Sequence, residues 1–318
     1  YKILTLIPFL LFLHSGIFAQ DLEKLVLKPG FKISIFAENL SSPRQIAEGK
    51  NGTIFVGERS GKVIALIDSD NNGQADSKII IAKDLKYSTG VSYLNGDLYF
   101  SEISNIWKIE SIEEWVSNYI IDSDLPEKIL VVDNLPDDQW HGWKWLKHDE
   151  EGGLYFNIGA PCNICLSKNP QYASILKYQD GKLNYVAKGV RNSVGFDFHP
   201  DSKQMYFTDN GRDWLGDDSP SCELNILEEE NSFFGFPYLH ATNVTDPEYG
   251  DMISGLDEPI VAPVLDIGAH FGQYAKAFAL LDETNKVYCF EPVSYTRSVL
   301  QSVLNSFNNT YIFSNGFA

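Results

Sequence analysis

The sequence contains few cysteines and few basic residues. Only four of its 318 residues are cysteine, which is too few for a small domain held together by disulfide bonds. The 25 lysine and arginine residues face 43 aspartate and glutamate residues, and the formal net charge is −18. A surface this acidic repels phosphate backbones and anionic lipids, so we do not expect general nucleic-acid binding. It suits calcium, or a buried cationic pocket within an acidic shell.

A long hydrophobic run is also missing. The apolar segment from Ile3 to Leu13 has 11 residues and is interrupted by Pro8, whereas a helix needs ~20 apolar residues to cross a bilayer. One lysine precedes the segment, and small residues follow it as far as Ala19. This pattern is typical of a secretory signal peptide. We therefore predict a signal peptide over residues 1–20, a secreted or periplasmic protein, and no stable membrane span after cleavage.

The rest of the composition is that of a folded chain. Hydrophobic residues make up 44% and aromatic residues 13% of the sequence, which is enough to fill a core and excludes a mainly disordered chain. The length exceeds that of one average domain and is sufficient for two.

A short β-type triplet recurs along the chain, each time after a turn rich in Gly, Asn or Asp. The triplets begin at Ile54, Leu98, Leu154 and Met205, at spacings of 44, 56 and 51 residues. One blade of a β-propeller, with four antiparallel strands over roughly 40–50 residues, has this period. A β-sandwich would show turns every ~8–12 residues without the longer recurrence. The sequence therefore predicts an all-β propeller with about four blades over residues 21–262.

The pattern changes after Pro263. Residues 264–272, VLDIGAHFG, are typical of a hydrophobic strand that enters a glycine turn. A helix-like segment, a second strand-like segment ending in Glu291 and a further helical spacing follow. Alternating strands and helices are typical of an α/β fold and foreign to a propeller. We predict a partial α/β Rossmann-like segment over residues 263–318, joined to the propeller without a Pro/Gly/Ser-rich linker.

Two loops of the predicted propeller carry groups that could act in catalysis. His141, between Trp140 and Trp143, comes just before the Leu154 strand. It could be a neutral base near pH 7 or a histidine packed between tryptophans. Arg191 and Asn192 lie in the glycine-bounded loop GVRNSVG. The guanidinium could bind the carboxylates of an anionic cofactor, or it could be an ordinary loop arginine bonded to backbone carbonyls.

Two acidic loops offer the oxygen ligands that calcium prefers. The segment TDNGRDWLGDD, which contains Gly211 and Arg212, is either such a site or a solvated acidic loop. The segment from Asp68 to Asp76 resembles the start of a calcium loop, but its twelfth position is Ile79 instead of Glu. It is either an incomplete calcium loop or a polar hairpin turn.

The motif Cys162-Asn163-Ile164-Cys165 has the spacing CxxC. Leu166 follows it in place of His, which excludes c-type haem attachment, and a second CxxC that would complete a zinc site is absent. In an exported protein we expect a local disulfide bond.

Together, these segments resemble the soluble-type PQQ-dependent sugar dehydrogenases, and most closely their glucose/sorbosone dehydrogenase-like branch of six-bladed propellers. The resemblance covers about residues 27–262 and rests on the strings SPRQ, HGWKWL, YFNIGAPCNIC, GVRNSVGFDFHP, TDNGRDWLGDD and FFGFPYLH. It implies a quinoprotein oxidoreductase that oxidises a sugar, or a related alcohol or aldehyde, by hydride transfer to PQQ. A sugar or aldehyde substrate and an electron acceptor are the implied partners.

The resemblance also implies a role for each matching residue. His141 corresponds to the general base, and Arg191 with Asn192 corresponds to the pair that holds PQQ and the developing negative charge. The backbone carbonyls of Gly211 and Arg212 correspond to those that hold the calcium ion of the cofactor.

Two departures from the family pattern carry expectations of their own. Cys222 stands where an acidic residue is common, which weakens a second calcium site. After Ala262 the lysine and arginines that the family's last blades supply for PQQ are absent, so we do not expect tight PQQ binding.

Residues 264–318 resemble the opening half of an FkbM-type S-adenosylmethionine methyltransferase. The resemblance implies a nucleotide site with Asp266, Gly268 and Gly272 in the glycine turn, and with Glu291 as acceptor of the ribose hydroxyls. A methyltransferase fragment that binds S-adenosylmethionine is therefore one alternative function. A non-catalytic secreted propeller that binds a ligand or partner is another.

Overall fold

A computed structural model describes most of the chain outside the N-terminus and parts of the C-terminal segment. The described residues are 22, 25–121, 123–217, 219–241, 244–254, 264–267, 287–290, 300–308 and 310–313. The predicted signal peptide lies outside these residues.

Four antiparallel sheets follow one another along the chain, in a propeller-like arrangement of four blades. Blade 1 consists of β1 (Pro43–Glu48), β2 (Ile54–Glu58), β3 (Lys62–Ile67) and β4 (Ser77–Ala82). Blade 2 consists of β5 (Val91–Leu94), β6 (Asp97–Ser101), β7 (Ile106–Ile109) and β8 (Ile129–Val132), with helix α1 (Ile112–Ser117) between β7 and β8. Blade 3 consists of β9 (Leu146–His148), β10 (Leu154–Ile158), β11 (Ser174–Gln179) and β12 (Lys182–Lys188). Blade 4 consists of β13 (Phe196–Phe198), β14 (Met205–Asp209) and β15 (Glu223–Ile226).

The repeat found in the sequence is the second strand of each blade. The four triplets lie in β2, β6, β10 and β14. A second apolar strand follows the triplet in the first two blades, as β3 and β7. The prediction of about four blades is confirmed.

Short elements follow the fourth blade. β16 (Ser232–Phe233) pairs in parallel with the outer strand of blade 3, β17 (Leu239–His240) and β18 (Val244–Thr245) form a hairpin, and a 3-10 helix spans Gly250–Ile253.

Three hydrophobic clusters fill the spaces between neighbouring blades. The first joins blades 1 and 2 through Phe55, Val63, Leu98 and Phe100, all fully buried. The second joins blades 2 and 3 through Ile106, Leu146 and Phe156, and the third joins blades 3 and 4 through Ile175, Val186 and Phe207. Because adjacent residues of a strand point to opposite faces, a central strand with both faces covered is apolar throughout, which explains the unbroken triplets.

Gln45 connects the first strands of three blades. This buried side chain of β1 is 3% exposed. Its Nε2 donates to the Leu146 carbonyl of β9 at 2.6 Å. Its Oε1 accepts from the Leu146 amide at 2.9 Å and from the Val91 amide of β5 at 3.1 Å. The first strands therefore lie together at the centre of the arrangement.

The loops that carry His141, Arg191, the CxxC motif and Gly211 lie at one end of the blades, called here the upper face, whereas the Asp68 loop, between β3 and β4, lies at the other end. In each sheet the strands reverse direction in turn, so the loop before the first strand and the loop after the second strand fall at the same end. The upper face thus comprises residues 42–44, 59–61, 139–145, 159–173, 189–195 and 210–217.

The C-terminal segment contains a separate sheet of parallel strands. It is formed by β19 (Val264–Ile267), β20 (Val287–Phe290) and β21 (Thr310–Phe313), and residues 300–304 are helical. The parallel order agrees with the predicted strand–helix alternation. A Rossmann-like methyltransferase domain is not shown by these strands.

Candidate active site

His141 lies in the loop before β9 and is 8% exposed. Its φ of 53° is in the left-handed region, where glycine is favoured. Its Nδ1 lies 2.8 Å from the Ala160 carbonyl oxygen, and its Nε2 accepts a hydrogen bond from Trp140 Nε1 at 3.1 Å. Since a carbonyl oxygen can only accept, Nδ1 carries the proton and Nε2 holds the lone pair.

The environment of His141 keeps the imidazole neutral. Burial, and then the positive charge of Arg191, lower the pKa of His141 from 6.5 to about 4. A general base must be unprotonated at working pH, and this imidazole meets that condition near pH 7. The edge of Trp140 also packs against the ring, with centroids 6.1 Å apart, so the contact with tryptophan expected in the alternative interpretation is present as well.

Arg191 is buried and makes most of its contacts with loop oxygens. Nε and Nη2 donate to the backbone oxygen and to Oδ1 of Asn163, each at 2.8 Å. Nη1 donates to the Asn210 carbonyl at 2.9 Å, and Nη2 lies 3.7 Å from Asp213 Oδ2. These bonds to carbonyls match the alternative interpretation of a loop arginine. They use three of the five guanidinium N–H groups, which leaves two for a ligand.

The backbone of Ala160 joins His141 to Arg191. Its carbonyl accepts from the imidazole, and its amide donates to the Arg191 carbonyl at 2.7 Å. The preceding residue, Gly159, makes this approach possible, because a Cβ there would lie 2.5 Å from the His141 Cβ. Two residues 50 positions apart in the sequence are thus brought to one place on the upper face.

The disulfide loop positions the guanidinium. Cys162 and Cys165 are bonded, with Cα atoms 6.1 Å apart, so the predicted local disulfide is confirmed. Asn163 lies between them, and its Oδ1 accepts from Arg191 and also from the Asp213 amide at 2.8 Å. The short closed loop therefore supplies the acceptors that fix Arg191.

Asn192 is held by a buried carboxylate. Asp209, at the end of β14, accepts from the Arg191 amide at 2.8 Å and from the Asn192 amide at 2.6 Å. Burial, and then the charge of Glu223 on the neighbouring strand, raise the pKa of Asp209. The side-chain oxygen Oδ1 of Asn192 is buried and has no hydrogen-bond partner among the described residues.

The loop with Gly211 and Arg212 is fixed by its arginine side chain. Arg212 Nη1 lies 2.6 Å from Asp246 Oδ2, and Nη2 lies 3.3 Å from Glu248 Oε1. His240 Nε2 lies 2.9 Å from the same Asp246 oxygen. Within the described part of the chain, the carbonyl oxygens of Gly211 and Arg212 accept no hydrogen bond.

These groups fit an anionic quinone with a calcium ion. The spare Arg191 N–H groups suit a carboxylate. Unpaired carbonyl oxygens at Gly211 and Arg212, together with the orphaned Asn192 Oδ1, are hard oxygen ligands of the kind calcium binds.

The structure agrees with both interpretations of the Asp68 loop, an incomplete calcium loop and a polar hairpin turn. Asp68, Asp70 and Asp76 place oxygen atoms within 4.8 Å of one another, as a cation site would require. The same carboxylates accept turn hydrogen bonds, such as those from Gly73 N to Asp68 at 2.8 Å and from Ser69 N to Asp76 at 2.7 Å.

The predicted S-adenosylmethionine site lies mostly outside the described residues. Gly268, Gly272 and Glu291 fall outside them, and only the backbone of Asp266 is described, in β19. The comparisons below give no support to a methyltransferase segment or to S-adenosylmethionine.

Similarity to one relative shows the family to which this chain belongs. An uncharacterized protein of Borreliella burgdorferi is 32% identical over 298 residues, which cover 88% of this chain and 75% of the relative. The chain belongs to the family of that protein. No protein-family model matches the sequence.

This chain shares its fold with PQQ-dependent sugar dehydrogenases of known structure. A calcium structure of a Trichoderma reesei carbohydrate-active enzyme of family AA12 is similar at a TM-score of 0.60 and 18% identity, over 78% of this chain and 73% of the other. The PQQ domain of pyranose dehydrogenase from Coprinopsis cinerea, in its holo form, gives 0.53 and 17%, over 66% of this chain. The PQQ-bound aldose sugar dehydrogenase of Streptomyces coelicolor gives 0.51 and 16%, over 68% and 69%. This chain spans 56% of the pyranose dehydrogenase domain. At these identities the likeness shows the fold alone.

None of the helices among the described residues is long and apolar enough to cross a bilayer.

The sequence patterns do not reveal the structural roles of several residues in or beside the site. Gln45, Asn163 and Asp246 each hold loops or strands together, and Lys144 is 2% exposed without a carboxylate partner in the described residues. Asn163 could have been suspected from its place inside CxxC. Gln45 could have been suspected as a polar residue at the start of a strand, but its partners lie 46 and 101 residues away.

Proposed function

We propose that this protein is an oxidoreductase that oxidises a sugar, or a related alcohol or aldehyde, with PQQ and calcium as cofactors. The observation that carries the proposal is the convergence of the neutral His141 imidazole and the Arg191 backbone carbonyl on Ala160, which brings the Arg191 guanidinium close enough for its charge to lower the pKa of His141. A scaffold that only binds a partner needs neither group in this arrangement. The fold shared with PQQ-dependent sugar dehydrogenases supports it.

In this proposal His141 moves one proton. With Nδ1–H held by the Ala160 carbonyl, Nε2 accepts the hydroxyl proton of the substrate once Trp140 Nε1 gives up its hydrogen bond to Nε2, as the hydride leaves the carbon that bears that hydroxyl. PQQ, when bound, supplies the acceptor for that hydride. Arg191 offers its two spare N–H groups to the negative charge that develops on the cofactor, and Asn192 Oδ1 with the Gly211 and Arg212 carbonyls holds the calcium ion.

We also propose that the protein is exported and passes electrons to a separate acceptor. The signal-peptide pattern at residues 1–20 and the Cys162–Cys165 disulfide support export, because disulfide bonds persist mainly in oxidising compartments. The domain boundary between the propeller (residues 21–262) and the α/β segment (residues 263–318) remains a prediction.

The test is dye reduction by the full chain reconstituted with calcium and an excess of PQQ, since tight PQQ binding is not expected, with aldoses as substrates. His141→Asn is the informative variant, because asparagine tolerates a left-handed backbone and removes the base. We expect the rate to fall about 10²- to 10⁴-fold. His199→Asn, in the turn between β13 and β14 at the opposite end of the blades, is the matched control and should retain the rate. Equal rates in both variants would refute the assignment of His141 as the base.

A further inference from the structure

Two arginines lie against one tryptophan on the upper face. The guanidinium carbons of Arg44 and Arg59 lie 5.1 and 5.2 Å from the ring centroid of Trp143. Arg59 also lies 5.4 Å from the ring of Tyr87. Both arginines are exposed, and the aromatic faces hold their side chains in place.

This group of donors has no acceptor among the described residues. The ion pairs found there involve other basic side chains and leave out both arginines. The carboxylate of the neighbouring Glu58 is directed elsewhere, to Ser41 N at 2.6 Å and to Ser60 Oγ at 3.1 Å. The indole N–H of Trp143 is buried and also lacks a partner. A buried donor without an acceptor is unfavourable.

The charge of the protein makes these unpaired arginines informative. With 43 acidic residues against 25 basic ones, a surface arginine has many potential carboxylate partners. A guanidinium stacked on an aromatic face keeps its N–H edge free, and that edge matches a carboxylate in a bidentate way. We propose that Arg44 and Arg59, held in place by the Trp143 ring, form a binding site for the carboxylate of a small anionic ligand.

The site adjoins the candidate active site. Trp143 follows His141 by two residues in the same loop, and Tyr87 Oη donates to Gln139 Oε1, two residues before His141, at 3.0 Å. A ligand anchored here is therefore held on the upper face beside His141. A uronic-acid substrate and the PQQ cofactor both carry such a carboxylate, and the experiment distinguishes the two. The binding site itself does not depend on the proposed oxidoreductase activity.

The experiment is isothermal titration of the full chain with three probes: D-glucuronate, its uncharged counterpart D-glucose, and PQQ. We expect Arg44→Gln and Arg59→Gln to weaken carboxylate binding roughly ten- to hundredfold, and Trp143→Phe to weaken it less. Lys128→Gln is the matched control, because Lys128 Nζ lies 4.1 Å from the Trp107 ring centroid and the same charge is removed. Circular dichroism confirms that each variant is folded.

Each outcome decides the proposal. Loss of glucuronate binding in the arginine variants supports the site with a substrate carboxylate, and loss confined to PQQ supports it with a cofactor carboxylate. The proposal is overturned if neither anion binds, if glucose binds as well as glucuronate, or if Lys128→Gln has the same effect as Arg44→Gln. Since no turnover is measured, an absence of dehydrogenase activity would leave these outcomes unchanged.

Discussion

Replacement of Gln45 tests the arrangement of the blades. Gln45→Met keeps the length of the side chain but removes three hydrogen bonds, to the Val91 amide and to the amide and carbonyl of Leu146. Each buried backbone group left without a partner costs about 1–3 kcal/mol, so the losses amount to at least about 3 kcal/mol. The apolar methionine recovers about 1 kcal/mol by burial. We expect a net loss of at least about 2 kcal/mol in the free energy of unfolding.

The assay is urea unfolding at pH 7, with the exposed Gln204→Met as control, which we expect to remain within about 0.5 kcal/mol of the original chain.

Gln45→Glu adds a pH dependence. A carboxylate at this position would face the Leu146 carbonyl at the 2.6 Å contact, so the folded-state pKa of the new glutamate should be raised. Its stability should therefore be highest below the unfolded pKa and fall as the pH rises through the folded pKa. A Gln45→Met protein as stable as the original would refute the view that this side chain joins three blades.

Three further predictions concern the upper face. The indole N–H of Trp140 donates to His141 Nε2 and thereby stabilises the neutral imidazole. Because Trp140→Phe removes this donor, the pKa of His141 should rise from about 4 by up to about one unit in an NMR titration. Asn163→Ala removes two acceptor contacts at 2.8 Å and should lower the free energy of unfolding by about 2 kcal/mol in urea. Lys144→Met should stabilise the protein at pH 7, because burial lowers the pKa of Lys144 to about 7. The unfolded chain therefore binds more protons between about pH 7 and 10.5, so the advantage of Lys144→Met should shrink as the pH rises through that window.

Each of these predictions has a result that would contradict it. An unchanged His141 titration in Trp140→Phe would mean that the indole does not act on Nε2. Asn169, an exposed residue of the same loop, is the control for Asn163, and equal losses in the two alanine variants would remove the special role of Asn163. For Lys144→Met, a stability difference that does not change between pH 7 and 10 would show that the lysine is not desolvated.

The repeat was predictable because it depends on local physics. The second strand of each blade is covered on both faces. Its apolar residues and the turn before it therefore occupy consecutive positions in the sequence. The CxxC disulfide was predictable for the same reason, since its two cysteines are three positions apart. The partners of Arg191 were not predictable, because the acceptors come from Asn163 and Asn210, on two different loops.

The sequence alone determined the β-type blades, their number and the loops that carry reactive groups. It could not determine whether His141 and Arg191 meet, because 50 residues and four strands separate them, and strand pairing decides which loops share an end. Only the tertiary structure showed that the Ala160 backbone bonds both to the His141 ring and to the Arg191 carbonyl, that Gly159 permits the close approach, and that burial keeps the imidazole neutral. Hydrogen bonds and desolvation between residues this far apart in the sequence depend on how the blades pack against one another, and no local sequence pattern encodes that packing.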